Sequence, residues 1–189
     1  MKQLARQIRD KHDLTTPRVM RTDLRRIYKA YNLQIDLRPG FMGLRGAYFN
    51  DECGASVMMA KGLPLDPAVF TMAHELKHHL VDSENTQLDC DQWNNPIEIA
   101  AEVFAAELIY PERDFHADLT QMGATPGHCA PEHLVRLKHD TKTTLSYAGL
   151  VKRAEWFQFI EEKQFAKVQF QKLHDKIYGA PFRRPRRST

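Results

Sequence analysis

Residues 74–78 read His-Glu-Leu-Lys-His, and this frame constrains the fold more than any other stretch of the chain. It carries chemistry only on an α-helix. There His74 and His78 are four residues apart, so both rings leave the same face one turn apart. Two imidazole nitrogens at that spacing can reach a single zinc ion at about 2.0–2.1 Å each. Glu75 sits between them in sequence, where a general base for an activated water is needed. Five residues can also fall into this order by chance on a surface helix, so the surroundings matter. Asp66-Pro67 supplies an N-cap and a first-turn proline, predicting a helix over about 67–81. Val69, Met72, Ala73, Leu76 and Leu80 form an apolar stripe along it.

Two helical ligands leave the ion short of a third. Asn95-Pro96 opens a second helix running through Ile109. Its Ala101 and Ala105 allow a close helix neighbour. Glu98 and Glu102 lie one turn apart on a mostly apolar segment, where a carboxylate is costly to bury unless paired or metal-bound. The reading makes Glu98 the third ligand and Glu102 the acceptor for the free ring N–H of a liganding histidine. Glu102, then Asp89 or Asp91, stand next in line for the ligand role. Glu107 reads as a solvent-facing helix former.

The 189 residues suggest one domain, 42% hydrophobic and 27% charged, an ordinary soluble globular mixture. A net charge of +3 is too small to diagnose a partner. No stretch approaches the roughly 20 apolar residues of a membrane span, and residues 1–10 lack a signal-peptide apolar core. These features predict a cytoplasmic protein. Cys53, Cys90 and Cys129 are odd in number and widely spaced, which argues against a disulfide framework.

The rest of the chain predicts an α+β fold. Residues 1–13 suit a short basic helix, and Thr16-Pro17 starts another through Tyr31. Its basic face is read as solvated rather than as a nucleic-acid contact. Leu33, Ile35 and Leu37 alternate with polar residues, and 42–49 and 56–60 supply two more strands. Together they predict a small three-stranded antiparallel sheet beside the His-Glu-x-x-His helix. An edge strand at Arg45–Phe49 could hold an extended peptide by strand addition, with Arg45 and Tyr48 as substrate-binding candidates. Residues 82–95 are polar and of lid length. Further helices are expected over 111–122 and, after Pro131, within 132–157, where two short helices about a polar turn resemble a helix-turn-helix. His128, Cys129 and His133 have loose metal-like spacing without a fourth ligand. One last helix is expected over 155–178. The resulting organisation is a domain over 1–155, a C-terminal helix over 156–178 packed on it, and a disordered basic tail over 179–189 carrying Arg183, Arg184, Arg186 and Arg187.

Phe70-Thr-Met-Ala-His-Glu-Leu-Lys-His-His, the Leu44–Tyr48 strand before it and Glu98–Pro111 after it resemble the ImmA/IrrE family of metallo-endopeptidases. The likeness extends over about 17–155. It implies a mostly helical zincin-like domain, a thermolysin-like metal site with His74, His78 and Glu98 as ligands and Glu75 as base, and one Zn²⁺ per chain, with Mn²⁺ as the alternative ion. It also implies a protein substrate, typically a helix-turn-helix transcriptional repressor whose cleavage releases stress-response or mobile-element genes. The family usually has Gly where this chain has Lys77, and Asn or Asp more often than Glu at position 102. A donor for the oxyanion is expected, with Tyr48, Tyr110, His116, His128 and His139 as candidates. Two rival readings are a DNA-binding regulator using 132–157 and the Arg tail, and a module that sequesters a repressor without cutting it.

Overall fold

A computed structural model describes residues 1–39, 43–83 and 95–179. Its described residues form eight helices and one sheet in the order α1 (Lys2–Lys11), α2 (Arg21–Ala30), β1 (Gln34–Arg38), β2 (Gly46–Asp51), β3 (Gly54–Ala60), α3 (Leu65–Val81), α4 (Pro96–Ile109), α5 (Glu112–Gln121), α6 (Pro131–Thr141), α7 (Tyr147–Trp156) and α8 (Phe170–Tyr178). The mostly helical α+β class predicted from the sequence is what the structure has.

The centre is α3. Ala68, Val69, Met72, Ala73 and Leu76 are buried along it, and it packs against α2, α4 and the sheet. Burial on three sides explains why its apolar stripe is broad. The start differs from the sequence reading. The helix begins at Leu65 with Pro64 as its N-cap, so Asp66 lies in the first turn. There it suits the positive end of the helix dipole and accepts from Lys138 Nζ at 2.8 Å. On α2, the helix starts at Arg21, four residues after Pro17, because Asp23 reaches back to the Met20 N–H at 2.8 Å. Tyr28 then ties α2 to α3, donating to the Met72 carbonyl at 2.7 Å.

The sheet is mixed, not antiparallel. Its order is β1-β3-β2, with β1 parallel to β3 and β2 antiparallel to it. β2 and β3 form a hairpin about a tight turn at Glu52-Cys53. β1 and β2 thus lie on opposite edges of the central β3, and β1 runs the same way as β3.

Ala101 and Ala105 are fully buried where α4 meets α3, and small side chains there let the two helices approach closely. Asn95 caps α4 by accepting from the Ile97 N–H at 3.0 Å. The far end of α4 is held by arginines. Arg9 donates to the Leu108 and Ile109 carbonyls at 2.7 and 3.3 Å, and Arg153 donates to the Tyr110 carbonyl. These are groups that a helix C-terminus leaves without partners. Glu107, read from the sequence as solvent-facing, is fully buried. It accepts from Arg6 Nε at 2.8 Å and from the Glu112 N–H at 2.9 Å.

The C-terminal helix also departs from expectation. A single helix over 155–178 is replaced by α7, a run of turns, and α8, which begins only at Phe170 and packs on α6. Gln158 and Lys163 take left-handed φ values of 59° and 62°, which interrupts the helix. Phe159, Phe165 and Phe170 still face the core. In the α6–α7 pair, Lys138 and Arg153 turn inward to Asp66 and to the Tyr110 carbonyl. The basic tail lies outside the described residues, as do Cys90, Asp89 and Asp91.

Candidate metal centre

His74 and His78 leave α3 on the side facing the first turn of α4, which carries Glu98. Nε2 of His74 lies 3.0 Å from Glu98 Oε2 and 3.2 Å from Nε2 of His78. Nε2 of His78 lies 3.4 Å from Glu98 Oε1. Among the described residues these three side chains form the group whose ligand atoms converge. Donors at 2.0–2.1 Å from a tetrahedral ion would stand about 3.3–3.4 Å from one another. The observed separations come close to that edge length.

The donor chemistry fits a cation as well. Nδ1 of His78 sits 2.9 Å from Asp82 Oδ2. A carboxylate only accepts, so Nδ1 carries the proton and Nε2 turns its lone pair towards His74 and Glu98. Glu75 Oε2 and Glu98 Oε1 are buried with no hydrogen-bond partner, a costly state that a bound cation would relieve. Burial opposes the Glu98 charge, but the adjoining His74 and His78 imidazoles, His74 through its hydrogen bond, outweigh it and hold the carboxyl down at about 2.

Glu75 is 3% exposed. Burial pushes its carboxyl up to about 7; neighbouring His74 pulls it down, Glu98 pushes it further up, and the Tyr48 backbone N–H favours the anion. β2 supplies that N–H because it lies directly on α3. Gly46 makes the approach feasible: a Cβ there would stand 2.4 Å from Thr71 Cγ2 and 3.3 Å from Glu75 Oε1.

Several sequence candidates lie elsewhere. Glu102, expected behind a liganding histidine, is turned outward and pairs with Lys152 Nζ at 2.6 Å; Asp82 holds the ring instead. Tyr48, a substrate-binding and oxyanion candidate, is buried with its hydroxyl 3.2 Å from His79 Nδ1. His79 Nε2 faces the Tyr31 carbonyl at 3.0 Å, so Nε2 donates and the Tyr48 hydroxyl donates to Nδ1. That side chain is committed to the fold. Arg45 is exposed, and its carbonyl accepts from Ala60. Of the other oxyanion candidates, Tyr110 is fully buried and donates to Asp118, His116 packs against Phe157 and Phe159, and His139 stacks on Tyr178. His133 Nδ1 accepts the Ala130 N–H at the start of α6, a capping role.

Asp82 and Lys77 are the residues that sequence reasoning missed. Asp82 ends α3 one turn past His78, so an i, i+4 search from the second histidine would have found it. For Lys77, buried at 2% exposure, no sequence signal points inward.

A helix-borne His-Glu-x-x-His frame, completed by a carboxylate from the next helix, defines the class as a candidate metallopeptidase centre. The peptidase M78 family model, described as the IrrE N-terminal-like domain, matches residues 37–138, more than half of the chain. The chain belongs to this family, and the matched span contains His74, Glu75, His78 and Glu98. A search of curated proteins finds no match.

Proposed function

We propose that this chain is a zinc-dependent endopeptidase that cleaves a helix-turn-helix transcriptional repressor and so derepresses stress-response or mobile-element genes. The observation that carries the reading is the convergence of His74, His78 and Glu98 beside a buried Glu75. A site meant only to brace the fold would have no use for a free carboxylate next to its ligands.

His74 and His78, through Nε2, and Glu98 would hold the ion, Zn²⁺ or alternatively Mn²⁺. When bound, such an ion supplies Lewis-acid chemistry, acidifying water and polarising a carbonyl oxygen. The chain's own work is proton handling and positioning. Glu75 takes a proton from the attacking water and returns it to the leaving amine nitrogen. Burial favours this role, because a carboxyl near neutrality exchanges protons readily in both directions. Asp82 fixes the ring of His78. β2 is an edge strand lying on α3, so an extended segment of substrate can add to it, with exposed Arg45 at its entrance. No described helix is long and apolar enough to cross a membrane; on this reading enzyme and repressor meet in the cytoplasm.

The test mixes the purified chain with the repressor encoded beside its gene, with and without Zn²⁺. Metal-dependent fragments that disappear with Glu75→Gln support the proposal. An intact repressor under every metal condition overturns it in favour of a sequestering module.

A further inference from the structure

Lys77 occupies the x position just before the second histidine, yet its side chain is among the largest fully buried ones in the chain. Its ammonium has two partners. Nζ lies 2.6 Å from Asp82 Oδ2 and 3.0 Å from the Ile97 carbonyl. The same Asp82 oxygen accepts the hydrogen bond from His78 Nδ1–H at 2.9 Å. Ile97 is the residue before Glu98 and lies in the first turn of α4. One ammonium therefore grips the acceptor behind a ligand from α3 and the peptide next to the ligand from α4.

Stability is a poor reason for a lysine here. Taking an ammonium out of water is costly, and well-packed apolar residues commonly replace a buried ion pair without loss. α3 is already anchored by Ala68, Val69, Met72, Ala73 and Leu76. What an apolar side chain could not do is hold Asp82 and the start of α4 at fixed positions relative to each other. We infer that Lys77 is a positioning residue for the metal centre, setting the ring of His78 and the carboxylate of Glu98 through the clamp Ile97–Lys77–Asp82. The inference rests on the metallopeptidase reading, because it presumes that the three ligands hold an ion.

The test is metal affinity rather than turnover. The full chain is stripped of metal, then titrated with Co²⁺, followed by its d–d absorption, and with Zn²⁺ against a chromophoric chelator. Wild type, Lys77→Met, Asp82→Asn and the double variant are compared after far-UV circular dichroism has matched their folds. Lys77→Met and Asp82→Asn should each weaken Zn²⁺ binding about 10- to 100-fold, the range seen when outer partners of metal ligands are removed, and should alter the Co²⁺ spectrum. The double variant should fall well short of the product of the two losses, since both changes break the same clamp. A merely structural lysine would leave affinity and spectrum of the folded protein unmoved, and that result overturns the inference alone. A wild-type chain that takes up neither ion overturns the metallopeptidase reading and the inference with it. Should Lys77→Met fail to fold, Lys77→Gln, which removes the charge and is too short to span both partners, is titrated in its place, and an unchanged affinity and Co²⁺ spectrum there overturn the inference.

Discussion

Glu107 gives the sharpest energetic test of how the ligand-bearing helix is supported. It is fully buried near the C-terminal end of α4, where the helix dipole disfavours a negative charge. Three partners offset this: Arg6 Nε at 2.8 Å, the Glu112 N–H at 2.9 Å, and the Arg153 guanidinium at 3.6 Å. Arg6 is half exposed, so water screens that pair and it is worth at most about 1 kcal/mol. Arg153 is buried, and removing Glu107 strands its charge. Glu107→Ala also strips the acceptor from Glu112 and should cost about 3–5 kcal/mol, the usual penalty for orphaning a buried charge. Glu107→Gln keeps an acceptor oxygen and should cost about 2 kcal/mol, the net value of a charge-assisted contact. For a chain of this size each kcal/mol moves Tm by about 2–4 °C, so Glu107→Ala should melt about 6–20 °C lower. Urea and thermal denaturation of the metal-free chain, followed by circular dichroism, measure both variants and Arg6→Ala. The expected order of loss is Glu107→Ala, then Glu107→Gln, then Arg6→Ala. Two Glu107 variants within 0.5 kcal/mol of wild type, a margin typical of surface changes, would refute the argument.

Other outcomes follow from the same geometry. Glu102→Ala removes only an exposed pair with Lys152 and should leave Zn²⁺ affinity unchanged, with a stability loss under about 1 kcal/mol; a clear drop in chelator-competition affinity would restore it to the site. Gly46→Ala forces a methyl group against Thr71 and towards Glu75, so it should lower the unfolding free energy by about 1–3 kcal/mol and reduce cleavage of the repressor substrate. Full activity and stability in that variant would mean that β2 can lift off α3 at no cost. Cys53 is exposed and free, whereas Cys129 is buried and its thiol is pushed up to about 11 by burial. Because the thiolate is the reactive form, peptide mapping after brief alkylation at pH 8 should show modification of Cys53 and protection of Cys129 until urea unfolds the chain.

Legibility in the sequence follows how local each feature is. His74, Glu75, His78 and Glu98 could be read because helix periodicity fixes which side chains share a face, and Asn95-Pro96 marks where the second helix begins. Glu102 was misplaced by the same rule. A step of four residues advances the side chain about 6 Å along the axis and about 40° around it, enough to leave the α3 face for Lys152. The sheet's strands could be read from alternation, but their order could not, because a period of two says nothing about which neighbour lies on which edge. The break after α7 was invisible for another reason: Gln158 and Lys163 adopt left-handed backbone without glycine or proline to announce it, while Phe159 and Phe170 keep the helical spacing of core residues.

Lys77 and Asp82 show where such reading stops. A lysine on a helix is written as solvent-facing, and here α4 covers it from a distance of twenty residues, with the Ile97 carbonyl as its cap. The ligands themselves need only a helix to be recognised. The contacts that hold the ligands still need the second helix in place, and a carbonyl has no letter in the sequence. A candidate metal centre can therefore be read from its donors alone, whereas the contacts that fix those donors in place are tertiary from the start.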